Sequence, residues 1–112
     1  MKLELLFLPT ANLDVTLATY RALGFEEVWR EGDSTAAIAL PGSEVQIMLD
    51  SNDPTAAAGP MLVVESVQAF HDARPAALEV LEAPAEIPDG FLATYRDAGG
   101  TTIYVLDQST AV

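Results

Sequence analysis

The sequence predicts an α+β fold assembled from two βαβββ units. Three observations carry this reading: an order of strand and helix signals that occurs twice, a polar and small-residue linker between the two occurrences, and turn-forming clusters that separate short strand-like runs. The 112 residues suit a single domain spanning 1–112, with units at about 1–50 and 60–108. Half of the residues are hydrophobic and 20% are charged, the composition of a chain that builds a core rather than of one that stays disordered.

In the first unit, Lys2 to Pro9 is a short apolar run closed by proline and reads as a buried strand. Asn12 caps a helix in which Leu13, Leu17, Tyr20, Arg21 and Leu23 recur at three-to-four spacing, and Gly24 ends it. Strands follow at Phe25–Glu31, Thr35–Leu40 and Glu44–Asp50, separated by Gly32-Asp33-Ser34 and Pro41-Gly42-Ser43. Residues 51–59 read as the linker.

The order then recurs. Pro60–Val64 is a strand, Ser66 caps a short helix through Phe70 and His71 that Pro75 stops, and Leu78–Ala83, Gly90–Arg96 and Thr101–Asp107 are strands. Pro84 and Pro88 mark 85–89 as a loop. Superimposing Pro41-Gly42 on Gly99-Gly100 sets Val45, Gln46 and Ile47 over Ile103, Tyr104 and Val105, which suggests an internal duplication; an unrelated mixed α+β sheet is the alternative.

Charge and composition exclude several function classes. The net charge is -12, with three basic against nine acidic residues in 1–56 and two against eight in 57–112, so the acidity is not confined to a tail. Lys2, Arg21, Arg30, Arg74 and Arg96 are scattered singly, which argues against nucleic acid. The absence of cysteine removes disulfides, thiolate metal ligands and cysteine nucleophiles. The longest uncharged apolar run near the start, Leu5 to Leu8, is too short for a signal peptide or a membrane span. The expectation is a soluble cytoplasmic protein with no membrane partner.

Leu-Pro-Thr-Ala-Asn-Leu-Asp at 8–14, Tyr20-Arg21 with Leu23-Gly24-Phe25, Val45 to Leu49, and Asp97-Ala98-Gly99-Gly100 followed by Ile103-Tyr104-Val105 together resemble the glyoxalase / bleomycin-resistance / extradiol-dioxygenase superfamily, the vicinal oxygen chelate fold. The resemblance runs nearly end to end, and Ala98 and Gly99 depart from the superfamily's usual late Asp-Pro-Asp-Gly turn. It implies that each unit forms half of a cup-shaped mixed sheet around a cleft. Enzymes of this superfamily hold a divalent metal through one side chain from the first and last strand of each unit, where oxygen or nitrogen donors suit a Lewis acid. Here those positions fall on Leu5, on Gln46, near Gly59 and on Tyr104, a set without charged or imidazole ligands. The expectation is therefore no metal, no cofactor and no catalytic residue.

What the resemblance then implies is a metal-free small-molecule binding protein like the bleomycin-resistance proteins, which sequester a cationic ligand in grooves at a homodimer interface. The ligand expected here is cationic or aromatic. Leu5, Phe7, Gln46, Met48, Tyr104 and Leu106 line the inferred cleft by period-two alternation from the ligand positions. Trp29 stands where the resistance proteins carry a groove-lining ring, with simple core packing as its other reading. The alternative function is a superfamily enzyme, a glyoxalase-like lyase, isomerase or dioxygenase, with atypical or missing metal ligands, using Tyr104 and a nearby carboxylate. The one histidine, His71, reads as a partly exposed helix residue whose replacement by alanine leaves stability nearly unchanged, and Glu26-Glu27 and Glu82 with Glu86 read as solvated charge.

Overall fold

A computed structural model describes residues 1–111, which form ten elements in the expected order, βαβββ twice over: β1 (Lys2–Pro9), α1 (Leu13–Ala22), β2 (Glu26–Glu31), β3 (Thr35–Ala39), β4 (Gln46–Asp50), β5 (Gly59–Val63), α2 (Val67–Ala73), β6 (Glu79–Ile87), β7 (Gly90–Arg96) and β8 (Thr102–Leu106). They fall into two compact units, one of Glu4–Ala58 and one running from Gly59 onward together with Met1–Leu3. Each is βαβββ. No helix among the described residues is long and apolar enough to cross a membrane.

In the first unit the strand order is β2-β3-β4-β1, antiparallel except for the parallel β1–β4 pair. Asn12 caps α1 by accepting from the Val15 amide at 3.2 Å, satisfying one of the donors that a helix start leaves open. The chain leaves the helix through Gly24, whose φ of 103° is a conformation that other residues rarely adopt. Leu13 and Leu17 of α1 bury against Ala36, Ile38 and Leu49 of the sheet. That contact defines the helix-covered face; the residues alternating with these point the other way.

The second unit repeats the plan with order β5-β8-β7-β6, the β5–β8 pair being parallel. Ser66 caps α2, its hydroxyl oxygen accepting from the Ala69 amide at 3.1 Å. Val67 packs on Ala93, Tyr95 and Val105, with Phe70, Val80 and Ile103 around them.

Two expectations are corrected here. Residues 85–87 are not loop but the end of β6, which continues through Pro84, and only Pro88-Asp89 form the expected turn. Proline lacks a donor, yet β6 is an edge strand, and the register jumps from Glu82↔Thr94 to Ala85↔Leu92 around it, so no ladder bond is demanded of Pro84. His71 is a partly exposed residue of α2, as expected, but its replacement by alanine is no longer expected to be neutral: its Nδ1 lies 2.8 Å from the hydroxyl of Tyr95, a residue with no exposed surface, and the two rings lie 5.9 Å apart. Burial pushes the Tyr95 phenol above its ordinary range, with Arg74 opposing and Asp72 adding to the rise.

Candidate functional site

The sheet face opposite α1 is where the first five expected ligand-binding residues meet. Register pairs Phe7 with Met48, Met48 with Ala37, and Ala37 with Trp29, which makes one row across all four strands. Leu5 and Gln46 form the adjacent pair on the same face. Leu5, Phe7, Gln46 and Met48 are half-buried, Ala37 is buried, and Trp29 keeps 36% of its surface exposed outside the core cluster.

Trp29 reaches this face only because β2 is irregular. Glu27 pairs with Ile38, a residue on the α1 side, and simple alternation would send Trp29 to that side as well. A bulge at Val28 intervenes, so Trp29 pairs with Ala37 instead. The ion pairs confirm the flanking orientations. Glu27 meets Arg21 of α1 at 3.1 Å, and Arg30 meets Asp14 of α1 at 3.1 Å, so the residues on either side of Val28-Trp29 lie on the helix side. Glu27 is thus exposed, as expected of solvated charge, and also ion-paired to α1.

Tyr104 and Leu106 lie in the second unit, on its face opposite α2. Tyr104 pairs with Met61 on one side and Thr94 on the other, and Thr94 pairs with Glu82. The next row is Val63, Leu106, Leu92 and Ala85. Here too a bulge matters. Val80 pairs with Tyr95 and packs toward α2, and the register shift after it turns Glu82 to the opposite face.

The two rows correspond. Phe7 stands five residues before the cap Asn12 and Met61 five before the cap Ser66, and in both edge strands the bulge precedes the row's last member. The equivalent pairs are Phe7 with Met61, Met48 with Tyr104, Ala37 with Thr94, and Trp29 with Glu82. This corrects the superposition of Gln46 on Tyr104, which assumed equivalent turns; the connecting loops differ in length, 40–45 against 97–101.

Neither assignment supplies a metal centre. Leu5, Gln46, Gly59 and Tyr104, or Phe7, Met48, Met61 and Tyr104, offer at best an amide, thioethers and a phenol, which is a poor donor set for a hard divalent ion. Among the described residues there is no group of three or more His, Cys, Asp or Glu placed to hold one.

A cavity of about 260 Å³ lies apart from these rows, lined by Ser66, Gln68, Pro84, Phe91, Asp107 and Ser109. Its floor is structural. Asp107, 1% exposed, accepts from the Val67 amide at 2.7 Å through Oδ2, and from the Phe91 amide, the Ser109 amide and the Ser109 hydroxyl through Oδ1 at 3.1, 3.1 and 2.8 Å. Burial pushes this carboxyl up, but the four hydrogen bonds outweigh it and hold it below the usual carboxylate range. Gly90 is required beside it, because a Cβ there would strike the Asp107 carbonyl and carboxylate.

No protein-family model matches the sequence, and no curated protein is significantly similar to it. Solved structures are similar in fold. One described as an NAD-dependent benzaldehyde dehydrogenase from Legionella pneumophila aligns over 93% of this chain and 97% of its own at 12% identity, with a TM-score of 0.71. A member of the glyoxalase/bleomycin resistance protein/dioxygenase superfamily from Vibrio splendidus 12B01 covers 95% and 98% at 14% identity, with a TM-score of 0.62. A protein from Staphylococcus aureus covers 96% and 99% at 15% identity, with a TM-score of 0.66. The chain has the vicinal oxygen chelate fold of that superfamily. Likeness at this identity establishes architecture and no activity.

Proposed function

We propose that the protein is a metal-free small-molecule binding protein of the bleomycin-resistance type, which sequesters an aromatic or cationic ligand at the interface of a two-fold homodimer. The observation that carries this reading is the Trp29–Ala37–Met48–Phe7 row: a strand irregularity turns the single tryptophan onto a face already formed by a phenyl ring and a thioether. Such a surface accepts a planar group by stacking or cation–π contact, worth about 0.5–2 kcal/mol. Gln46 and Tyr104 are the polar handles expected of a mostly apolar site. The net charge of -12 raises the local concentration of cations. The edge strand β2 leaves Val28 and Trp29 exposed, surface that a second copy covers.

The test is titration of Trp29 fluorescence with planar aromatic cations and their neutral analogues, with and without equimolar Zn²⁺ or Mn²⁺. Saturable quenching that weakens with salt, ignores the metals and is lost in a folded Trp29→Ala variant is the expected result. Collapse of that variant, or quenching that requires metal, defeats the reading. The enzymatic alternative has one observation in its favour, the placement of Glu82 in the same row as Tyr104, and it stands only if a bound ligand is turned over.

A further inference from the structure

The row formed by Glu82, Thr94, Tyr104 and Met61 occupies, in the second unit, the positions that Trp29, Ala37, Met48 and Phe7 occupy in the first. One row is apolar, whereas the other presents a carboxylate, a hydroxyl and a phenol. From this difference, and resting on the ligand-binding reading above, we infer that Glu82, Thr94 and Tyr104 form a subsite for an organic cation bearing N–H donors: an amidinium, guanidinium or ammonium group.

Three observations carry it. The bulge after Val80 is what puts Glu82 on this face, since regular alternation would send it with Val80 toward α2. Among the described residues no cation and no hydrogen-bond donor sits on Glu82. Arg96 of the neighbouring strand β7 is directly opposite Glu79 in register and holds its guanidinium 3.9 Å from that carboxylate. Finally, the spacing suits a small ring with a charged end: adjacent strands are roughly 5 Å apart, so a cation on Glu82 directs an attached ring across Thr94, a floor residue only 8% exposed, toward Tyr104 and beside the apolar pair Leu92 and Leu106. A carboxylate with hydroxyl groups at one side and aliphatic side chains at the other selects a cation that also donates hydrogen bonds, because charge-assisted bonds are about twice as strong as neutral ones.

Benzamidine and benzamide test this directly, being nearly identical in shape and differing in charge. Amide chemical-shift titrations of the full chain should show benzamidinium shifting resonances of β6, β7 and β8 around Glu82, Thr94 and Tyr104, with benzamide binding about tenfold more weakly. Glu82→Gln should bring benzamidinium down to the benzamide level. Glu86→Gln, on the same strand but paired with Phe91 on the opposite face, removes the same charge and should leave binding unchanged. Equal binding of the two probes, equal loss in both variants, shifts centred elsewhere, or no binding of benzamidinium overturns the subsite. Saturable quenching of Trp29 that is unaltered by Glu82→Gln then leaves the binding function standing without it, whereas loss of binding at both rows removes the two readings together.

Discussion

Replacing Asp107 by asparagine tests how far a single buried carboxylate ties the second unit together. Its two oxygens join the start of α2 at Val67, the start of β7 at Phe91 and the segment after β8 at Ser109. Asparagine is nearly isosteric, and its carbonyl can keep the three bonds made by Oδ1. Its NH2 group, however, must then face the Val67 amide, donor against donor. The loss is one charge-assisted hydrogen bond plus one buried N–H without an acceptor, together about 2–4 kcal/mol. For a domain of this size that lowers Tm by roughly 10–20 °C. The effect has a pH signature. Because the folded-state carboxyl sits below its ordinary range, its ionised form contributes stability that is present above the unfolded value and is lost as pH falls through the folded one. The gap between the two proteins should be full at pH 7 and shrink as pH drops below about 4. Urea unfolding followed by Tyr and Trp fluorescence at both pH values measures it. A cost under about 0.5 kcal/mol, or a gap that does not change with pH, would refute the argument.

His71→Ala should destabilise the fold by about 1–2 kcal/mol, because it strips the partner from the hydroxyl of the fully buried Tyr95. In a double-mutant cycle with Tyr95→Phe, about 1 kcal/mol of that should vanish; strict additivity would show that the contact is energetically idle. Sedimentation at micromolar concentration should show a dimer, and a monomer would remove the interface from the proposed function.

The local devices of this fold are written in its local sequence. Asn12 and Ser66 cap helices because a side-chain oxygen can satisfy an open amide three residues on, and the apolar spacing of Leu13 and Leu17 needs nothing beyond one turn of helix to declare its buried face. The repeated βαβββ order follows from such signals, as does the membership of Leu5, Phe7, Gln46 and Met48 in one face, since alternation has a period of two wherever a strand is regular. Tertiary structure decided what depends on a neighbouring strand. Whether Trp29 and Glu82 face the helix or the open side turns on a single extra residue in each edge strand, and a bulge is a mismatch between two strands, invisible in either alone. The same holds for β6, which runs through Pro84 because its neighbour asks for no hydrogen bond there. His71 and Asp107 complete the contrast: the sequence shows only a partly exposed helix residue and the last residue of a strand, and their hydrogen-bonding roles exist only once Tyr95, 24 residues away, and Val67, 40 residues away, are brought within reach.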